Sequence, residues 1–399
     1  MNCRHCNTKL KNVFCNLGFA PPSNSYLTNE QLNQPEVHYP LKVYVCHKCF
    51  LTQIDELKNA DEIFNSNYVY FSSYSSTWLA HAKNTVELMS KKLGLNRNSQ
   101  VIEIASNDGY LLQYVKAKSI PCLGIEPSTS TAKIAKQKGI KVIEKFFDSK
   151  FAAKLPKADW LLGNNVLAHV PNINDFVKGL KMVLKPNGTI TMEFPHLLNL
   201  IKLNQFDTIY HEHYSYLSLI AVQKIFAKQG LKIYAVDELP THGGSLRIYA
   251  THTENSIKIE NSVKKLLEKE KQAQLNSLNG YKNFQSKIKK IKTDLLKFIL
   301  TNGDVIAYGA AAKGNTLLNY CGIGADIIDF VVDLSPYKQG LFLPQSHIPI
   351  IAEETIKKAK PKYILILPWN LREEISKQLS YARKWRAKFI VAVPKLEVW

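Results

Sequence analysis

The sequence predicts an α/β protein in three parts: a small metal-stapled module, a central domain on a doubly wound parallel sheet, and a second Rossmann-like domain toward the C-terminal end. Three observations predict it. Two Cys-x-x-Cys pairs fall within residues 3–49. Short apolar runs alternate with helix-length segments between residues 101 and 194, the pattern of repeated βαβ units. A second series of the same kind opens near residue 303. At 399 residues the chain is too long for one ordinary core and suits two or three domains.

The first part, residues 1–65, is turn-rich and polar, so a metal is the natural staple for it. Cys3 with Cys6, and Cys46 with Cys49, each put two thiolates on one tight turn, and two such turns build a tetrahedral four-sulfur cage. Four sulfur ligands leave no open position, so the predicted zinc is structural. His5 and His47 stand close enough in sequence to substitute as ligands, and Cys15 lacks the paired spacing. No stretch approaches the roughly 18 apolar residues of a membrane span. The opening MNCRHC carries no apolar signal core, so a cytoplasmic protein without a membrane partner is expected.

The second part, residues 66–254, carries strands at VIEIA (101–105), CLGIEP (122–127), KVIEKFF (141–147), WLLGNNVL (160–167) and TITMEF (189–194). Glu103 ends the first, and Ser106, Asn107, Asp108 and Gly109 make a turn of small residues into a helix. Such a turn brings backbone N–H groups close to a ligand. Glu126 ends the second strand, where a carboxylate can bind both hydroxyls of a ribose. Phe147 suits an adenine flank, and Asn164 ends the fourth strand. With no lysine-rich phosphate loop here, a nucleoside without phosphates fits better than a dinucleotide.

Beyond the carboxyl ends of these strands, where open α/β sheets bind ligands, lie the segments richest in chemistry. NVLAHVP carries His169, and FDTIYHEHYSYLSL carries Tyr210, His211, Glu212, His213, Tyr214 and Tyr216; a third candidate patch, NYVYFSSYSS at 67–76, ahead of the first strand, offers Tyr68, Tyr70 and Tyr74. Histidine, glutamate and tyrosine together supply proton transfer and oxyanion donors, and a second metal on His211 and His213 is the alternative use. THGGSLRIY adds His242, a glycine pair open to close backbone approach, and Arg247 for a phosphate or carboxylate.

Residues 255–300 read as a helical connector broken near Asn279-Gly280. In residues 301–399, VIAYGAA, IIDFVVD, YILILPW and KFIVAVP read as strands. VIAYGAAAKGNTLLNY is strand, glycine turn, lysine, helix, an anion site with Lys313 as added charge and Asn315 just beyond. Its spacing differs from the P-loop signature. Tyr337 and Lys338 follow the next strand, and a nucleotide diphosphate is the expected tenant.

The formal charge of +19 invites a nucleic-acid partner. Only six of the 52 basic residues are arginine, the preferred fork for bases and phosphates, so the excess reads as solvated lysine and no nucleic-acid partner is expected. The sequence is silent on oligomeric state.

The central segments resemble the class I methyltransferases, which implies that Glu103, Gly109 and Glu126 touch S-adenosylmethionine. Nearly the whole chain resembles the zinc-binding sugar C-methyltransferases, which methylate carbon 3 of dTDP-4-keto-deoxysugars on routes to branched sugars of antibiotics and surface polysaccharides. The resemblance rests on Cys3, Cys6, Cys46 and Cys49, the EIASNDGYLL turn, NVLAHVP, FDTIYHEHYSY, HGGSLR, and GAAAKGNTLLNYCGIG with SPYKQGLFLP. It implies catalysis by His213 and Glu212, with Tyr210, His169 and a tyrosine in the region of Tyr70 lining the sugar site. The mechanism expected is removal of the acidic proton beside the ketone by His213, oriented by Glu212, with Tyr210 or His169 donating to the enolate oxygen. Methylation of O or N on another small molecule, or of nucleic acid, are the rival activities.

Overall fold

The computed structural model describes residues 1–57 and 71–399. The N-terminal module contributes β1 (Asn12–Ala20), β2 (Tyr39–Val45) and β3 (Thr52–Ile54). The central part follows with α1 (Ser76–Lys92), β4 (Val101–Ile104), α2 (Leu112–Ala117), β5 (Cys122–Ile125), α3 (Thr129–Gln137), β6 (Val142–Ile143), α4 (Ser149–Ala152), β7 (Ala158–Asn164), α5 (Ile173–Val183), β8 (Leu184–Pro195), α6 (Leu197–Lys202), β9 (Ser215–Tyr216), α7 (Leu219–Lys228), β10 (Leu231–Leu239) and β11 (Ser245–His252). Two helices, α8 (Asn261–Gln272) and α9 (Phe284–Asn302), lead to β12 (Val305–Tyr308), α10 (Ala312–Cys321), β13 (Val331–Val332), β14 (Ile350–Ile351), β15 (Tyr363–Ile366), β16 (Lys388–Val391) and β17 (Glu397–Val398).

The central sheet runs β10-β11-β8-β7-β4-β5-β6. Its β4–β8 strands pair in parallel, and β11 runs antiparallel to both its neighbours. Strands β4 and β7 are buried on both faces, which is why VIEI and WLLG read as continuous apolar runs. This is the Rossmann-like sheet expected from the sequence, and the jump from β4 outward to β5 on one side and β7 on the other opens a crevice at their carboxyl ends. The C-terminal sheet runs β14-β13-β12-β15-β16-β17 and is parallel up to its last strand.

The strand pattern departs from the reading of the sequence in three places. KVIEKFF keeps only Val142 and Ile143 in the sheet, because exposed Glu144, Lys145 and Phe146 have no face to bury. LKPNGTI joins the strand as part of β8, with a register shift opposite β7 taking up its Pro-Asn-Gly. Strands β10 and β11 close the sheet antiparallel, a pairing set by long-range register rather than by a local pattern.

The N-terminal module does not complete its own sheet. Its fourth strand is β9, from the central part: Thr52 pairs with Tyr216 and Gln53 with Ser215. The Ile54 amide also donates to the Tyr214 carbonyl at 3.2 Å. The Arg4 guanidinium donates to the carbonyls of Pro171 (2.9 Å) and Ile54 (2.6 Å), and the His5 ring bonds the Asn174 side chain at 2.8 Å. Among the described residues, no helix is long and apolar enough to cross a membrane.

Candidate functional site

The four expected sulfurs converge. Those of Cys3, Cys6, Cys46 and Cys49 all lie within 4.8 Å of one another, with Cys3–Cys49 and Cys6–Cys46 at 3.5 Å. The cysteines are unpaired as disulfides, and the Gln53 amide donates to the Cys3 sulfur at 3.3 Å. The Cys49 thiol beside it holds Cys3 down to about 4, while the bond to Cys3 pushes Cys49 up and burial pushes Cys46 up, so Cys3 is the thiolate the bare cage favours. A zinc ion fits this donor set. His5 is occupied with Asn174, and Cys15 is buried elsewhere, in the core shared by β1, α9 and the C-terminal sheet.

The turn after β4 is the second converging group. The Glu126 carboxylate accepts from the backbone amides of Asn107 (2.8 Å) and Ser128 (2.9 Å), which pins the turn to the end of β5. Gly109 has φ +75°, and a Cβ there would lie 2.4 Å from the Ile140 side chain, so its bareness serves packing as well as the turn. Ser72 and Ser73 close over the turn, their amides donating to Asn107 Oδ1 (2.9 Å) and Asp108 Oδ2 (3.2 Å). Glu103 is fully buried, and neither carboxylate oxygen has a hydrogen-bond partner of ordinary length among the described residues. Burial holds its carboxyl well above the usual range, opposed by the nearby Tyr110 hydroxyl and reinforced by Glu126 and Asp108. The Ser106 hydroxyl and Asp108 Oδ1 are likewise buried and unpartnered. Orphaned acceptors of this kind call for a ligand with donors, and S-adenosylmethionine, with its ammonium and ribose hydroxyls, fits them.

Asn164, at the end of β7, donates to the Tyr110 hydroxyl at 3.1 Å, which ties the fourth strand to the donor turn. Phe147 does not stand open to an adenine. Its half-buried ring meets Phe176 edge-on at 5.3 Å and fills the space that Gly179 leaves on α5. Phe146 is the exposed one of the pair.

The histidine block sits just beyond β7. The His213 Nδ1–H donates to the Thr208 carbonyl at 2.9 Å, so Nε2 carries the lone pair, and the Tyr210 hydroxyl donates to it at 3.1 Å. The His169 and His213 rings meet at 4.6 Å. Burial, then His169, keeps His213 well below the usual imidazole range, and burial takes His169 down to about 4. Both rings are neutral at pH 7.

Two expected roles change here. Glu212 does not orient His213: the Thr208 carbonyl does, while Glu212 accepts from the Asn24 amide at 3.2 Å. His169 gives its Nδ1 proton to the Glu212 carbonyl at 2.7 Å. A neutral imidazole has only one N–H, so its Nε2 has none left for an enolate oxygen. Tyr74 is exposed, while Tyr68 and Tyr70 lie outside the described residues.

HGGSLR behaves differently from its expected phosphate role. Arg247 is buried against Glu193 on the neighbouring strand, with Nε to carboxylate at 2.7 Å, and it also donates to Thr85 at 2.6 Å. Glu193 further bonds His81 at 2.8 Å. Burial alone would raise Glu193, but His81 and Arg247 together hold its carboxyl low. The one arginine reserved for a phosphate is a structural ion pair behind the site. Replacing Arg247 by Ala strands Glu193 in the core, and a loss of about 3–5 kcal/mol in unfolding free energy is expected; urea unfolding with a loss under about 1 kcal/mol would refute the pairing.

His242 accepts from the Asn165 side chain at 2.9 Å, and its ring packs on Trp78. The glycine pair is approached by protein. A Cβ on Gly243 would lie 2.3 Å from Trp369, and one on Gly244 would lie 2.2 Å from Asn199.

The C-terminal glycine turn is largely filled from within. The Lys338 ammonium and the Tyr26 hydroxyl both donate to the Ala310 carbonyl (2.8 and 2.6 Å), and the Ala310 amide donates to Asp333 at 2.8 Å. Asn315 is buried and gives its amide to the Ser23 carbonyl. Tyr337 remains exposed, beside Phe71. Lys313 points the other way, toward the central domain. It donates to Asn370 Oδ1 at 2.6 Å and lies over the Trp369 ring at 4.8 Å. The Trp369 indole N–H donates at 2.6 Å to Asp207, one residue before Thr208.

Reading the sequence missed Tyr110 and Asp207, although both lie inside quoted motifs, as the residue after SNDG and the second of FDTIYHEH. It also missed Asn24, Trp78, His81, Trp369 and Asn370, which no local pattern marks.

Residues 3–64 match a family model described as a zinc binding domain, residues 79–236 one described as a methyltransferase domain, and residues 240–394 one described as a C-methyltransferase C-terminal domain. The chain is 30% identical over 389 residues to the C-methyltransferase NovU of Streptomyces niveus, covering 96% of this chain and 92% of that protein. Solved structures similar to it include an S-adenosylmethionine-dependent methyltransferase of Thermotoga maritima (18% identity, 43% of this chain and 90% of that one, TM-score 0.34) and another of Clostridium acetobutylicum (12%, 43%, 90%, 0.36). A likeness that runs through all three modules in order is one of whole enzymes, and the chain belongs to the S-adenosylmethionine-dependent C-methyltransferases that carry an N-terminal zinc-binding module.

Proposed function

We propose that the methyl acceptor is carbon 3 of a nucleotide-linked 4-keto-deoxyhexose, with dTDP as the nucleotide, in the making of a branched sugar. The observation that carries this reading is the His213 imidazole: neutral, buried, its Nδ1 proton fixed on a carbonyl, its Nε2 lone pair next to Tyr210. Oxygen or nitrogen acceptors bear their own lone pairs. A carbon acceptor must first lose a proton, and the ketone beside it makes that proton acidic enough for an imidazole.

S-adenosylmethionine, when bound, supplies an electrophilic methyl group. Glu103, Ser106, Asn107, Asp108, Gly109, Glu126 and Asn164 are the residues that would hold it. His213 takes the proton, and the Thr208 carbonyl stabilises the imidazolium that results. Burial keeps water from returning a proton to the carbanionic carbon. Glu212 and Tyr210 line the acceptor side. The nucleotide falls to the C-terminal domain, near Tyr337, and nucleic acid has no part in the reaction.

The test is a mass-spectrometric assay with S-adenosylmethionine and a panel of nucleotide-linked 4-keto-deoxyhexoses in deuterated water. A gain of one methyl, with deuterium exchange at the neighbouring carbon, is expected. Equal methylation of the reduced 4-hydroxy sugars would overturn the reading, since they lack the ketone and point to oxygen as the acceptor.

A further inference from the structure

The enolate reading leaves one need unmet. When the C–H bond gives its proton to His213 Nε2, its electron pair forms the C=C bond and the carbonyl π pair moves onto oxygen. That oxygen needs a donor. The His169 proton is committed to the Glu212 carbonyl, and the Tyr210 proton lies on His213 Nε2 and is released only once that nitrogen has taken the carbon proton. His242 has its Nε2 turned to the Asn165 amide and stays neutral, pushed down to about 4 by burial and then by Lys313.

Among the described residues, the Lys313 ammonium stands near these histidines with protons to spare, its pKa lowered by burial and held up by Asp207. Lys313 acts electrostatically on both His213 and His242. Its ammonium has three N–H bonds, of which Asn370 takes one. It is held in place from both sides of the domain boundary. Trp369 packs beneath it and is itself anchored to Asp207. The same helix, α10, donates through Thr316 to the Ile209 carbonyl at 3.1 Å, and through Asn315 to Ser23 of the N-terminal module. The lysine is therefore fixed against the 207–213 loop that carries the base. Burial lifts Asp207 to about 6, so its carboxylate stays largely ionised at pH 7, but it accepts from the Trp369 indole and makes no salt bridge with Lys313 among the described residues. The Lys313 ammonium thus stands beside two neutral imidazoles, His213 and His242, with N–H bonds left for a further acceptor. The enolate oxygen is such an acceptor, and it exists only while the reaction runs.

Resting on the reading of a 4-keto acceptor, we propose that Lys313 is a catalytic residue whose ammonium receives the enolate oxygen during proton removal. This places it in the reaction itself and gives the C-terminal domain a share in the chemistry.

The experiment uses the full-length zinc-loaded enzyme and the dTDP-linked 4-keto-deoxyhexose that the wild type methylates, and it follows deuterium exchange at carbon 3. Wild-type exchange comes first. If no ketosugar in the panel is exchanged or methylated, the acceptor reading fails and the lysine is not at issue. Given wild-type exchange, Lys313→Met should slow both exchange and kcat by about 10²–10³-fold, the loss typical of one oxyanion donor. KM and S-adenosylmethionine affinity should stay within about threefold. Lys313→Arg, which keeps the charge, should recover exchange to within about tenfold of wild type. Lys313→Gln keeps the Asn370 contact and serves if the Met variant does not fold; the same loss is expected of it. A Met or Gln variant with wild-type exchange and a raised KM would overturn the proposal and make Lys313 a ligand of the nucleotide.

Discussion

His213→Asn is expected to lower kcat for methyl transfer by about 10²–10⁴-fold, the usual contribution of a positioned general base. Asparagine preserves a donor to the Thr208 carbonyl, 2.9 Å from Nδ1 in the native chain, but offers no basic nitrogen toward the substrate. Affinity for S-adenosylmethionine, read by calorimetry, should stay within about twofold, because the donor turn is held by Glu126 and by the Ser72 and Ser73 amides, not by His213. The pH profile gives a separate check. Burial and His169 depress the imidazole, so His213 keeps its lone pair at pH values where a free imidazole, with a pKa of about 6.5, would be losing it. The acid limb of kcat/KM should therefore fall below pH ~6.5, and activity should rise through that limb as pH rises. A variant with wild-type kcat, or an acid limb above pH ~7, would remove His213 as the base.

Cys46→Ser, or prolonged chelation, is expected to abolish both zinc binding and methyl transfer. Structural zinc on thiolates supplies apparent free energies of about 10–16 kcal/mol, and a module this small has little core to replace that. The loss should reach the chemistry through the chain itself. Strand β9, which begins two residues after His213, is the fourth strand of the zinc module's sheet, paired to Thr52 and Gln53 beside the cage. The module also presents Asn24 to Glu212 and Ser23 to Asn315. Metal analysis should find one zinc per chain in the wild type and none in the variant, with a lower melting temperature. Cys122→Ser, half-buried on β5 and outside the cage, should keep its zinc. A zinc-free chain that still turned over at the wild-type rate would show the module to be dispensable.

Local signals were legible in the sequence because their physics is local. Two Cys-x-x-Cys turns each fix a pair of ligands without help from the rest of the chain, and the four sulfurs do meet. Doubly buried strands such as VIEI and WLLG show up as apolar runs, so the parallel sheet could be read. The small-residue turn at 106–109 and the YHEH block marked where the chemistry gathers.

Pairing and orientation were decided only by the tertiary structure. A buried arginine and a phosphate-binding arginine have the same sequence signature. Arg247 became structural because β11 registers it opposite Glu193, where an unpaired charge would be costly. Glu212 and His213 are adjacent in sequence, yet the carbonyl of Thr208, folded back from the preceding turn, takes the Nδ1 proton. Nothing along the chain relates Lys313 to His213, a hundred residues away; the packing of Trp369 on Asp207 does that. Residue types and short spacings state which groups are present. Which proton faces which acceptor depends on contacts between distant segments, and those exist only once the cores have closed.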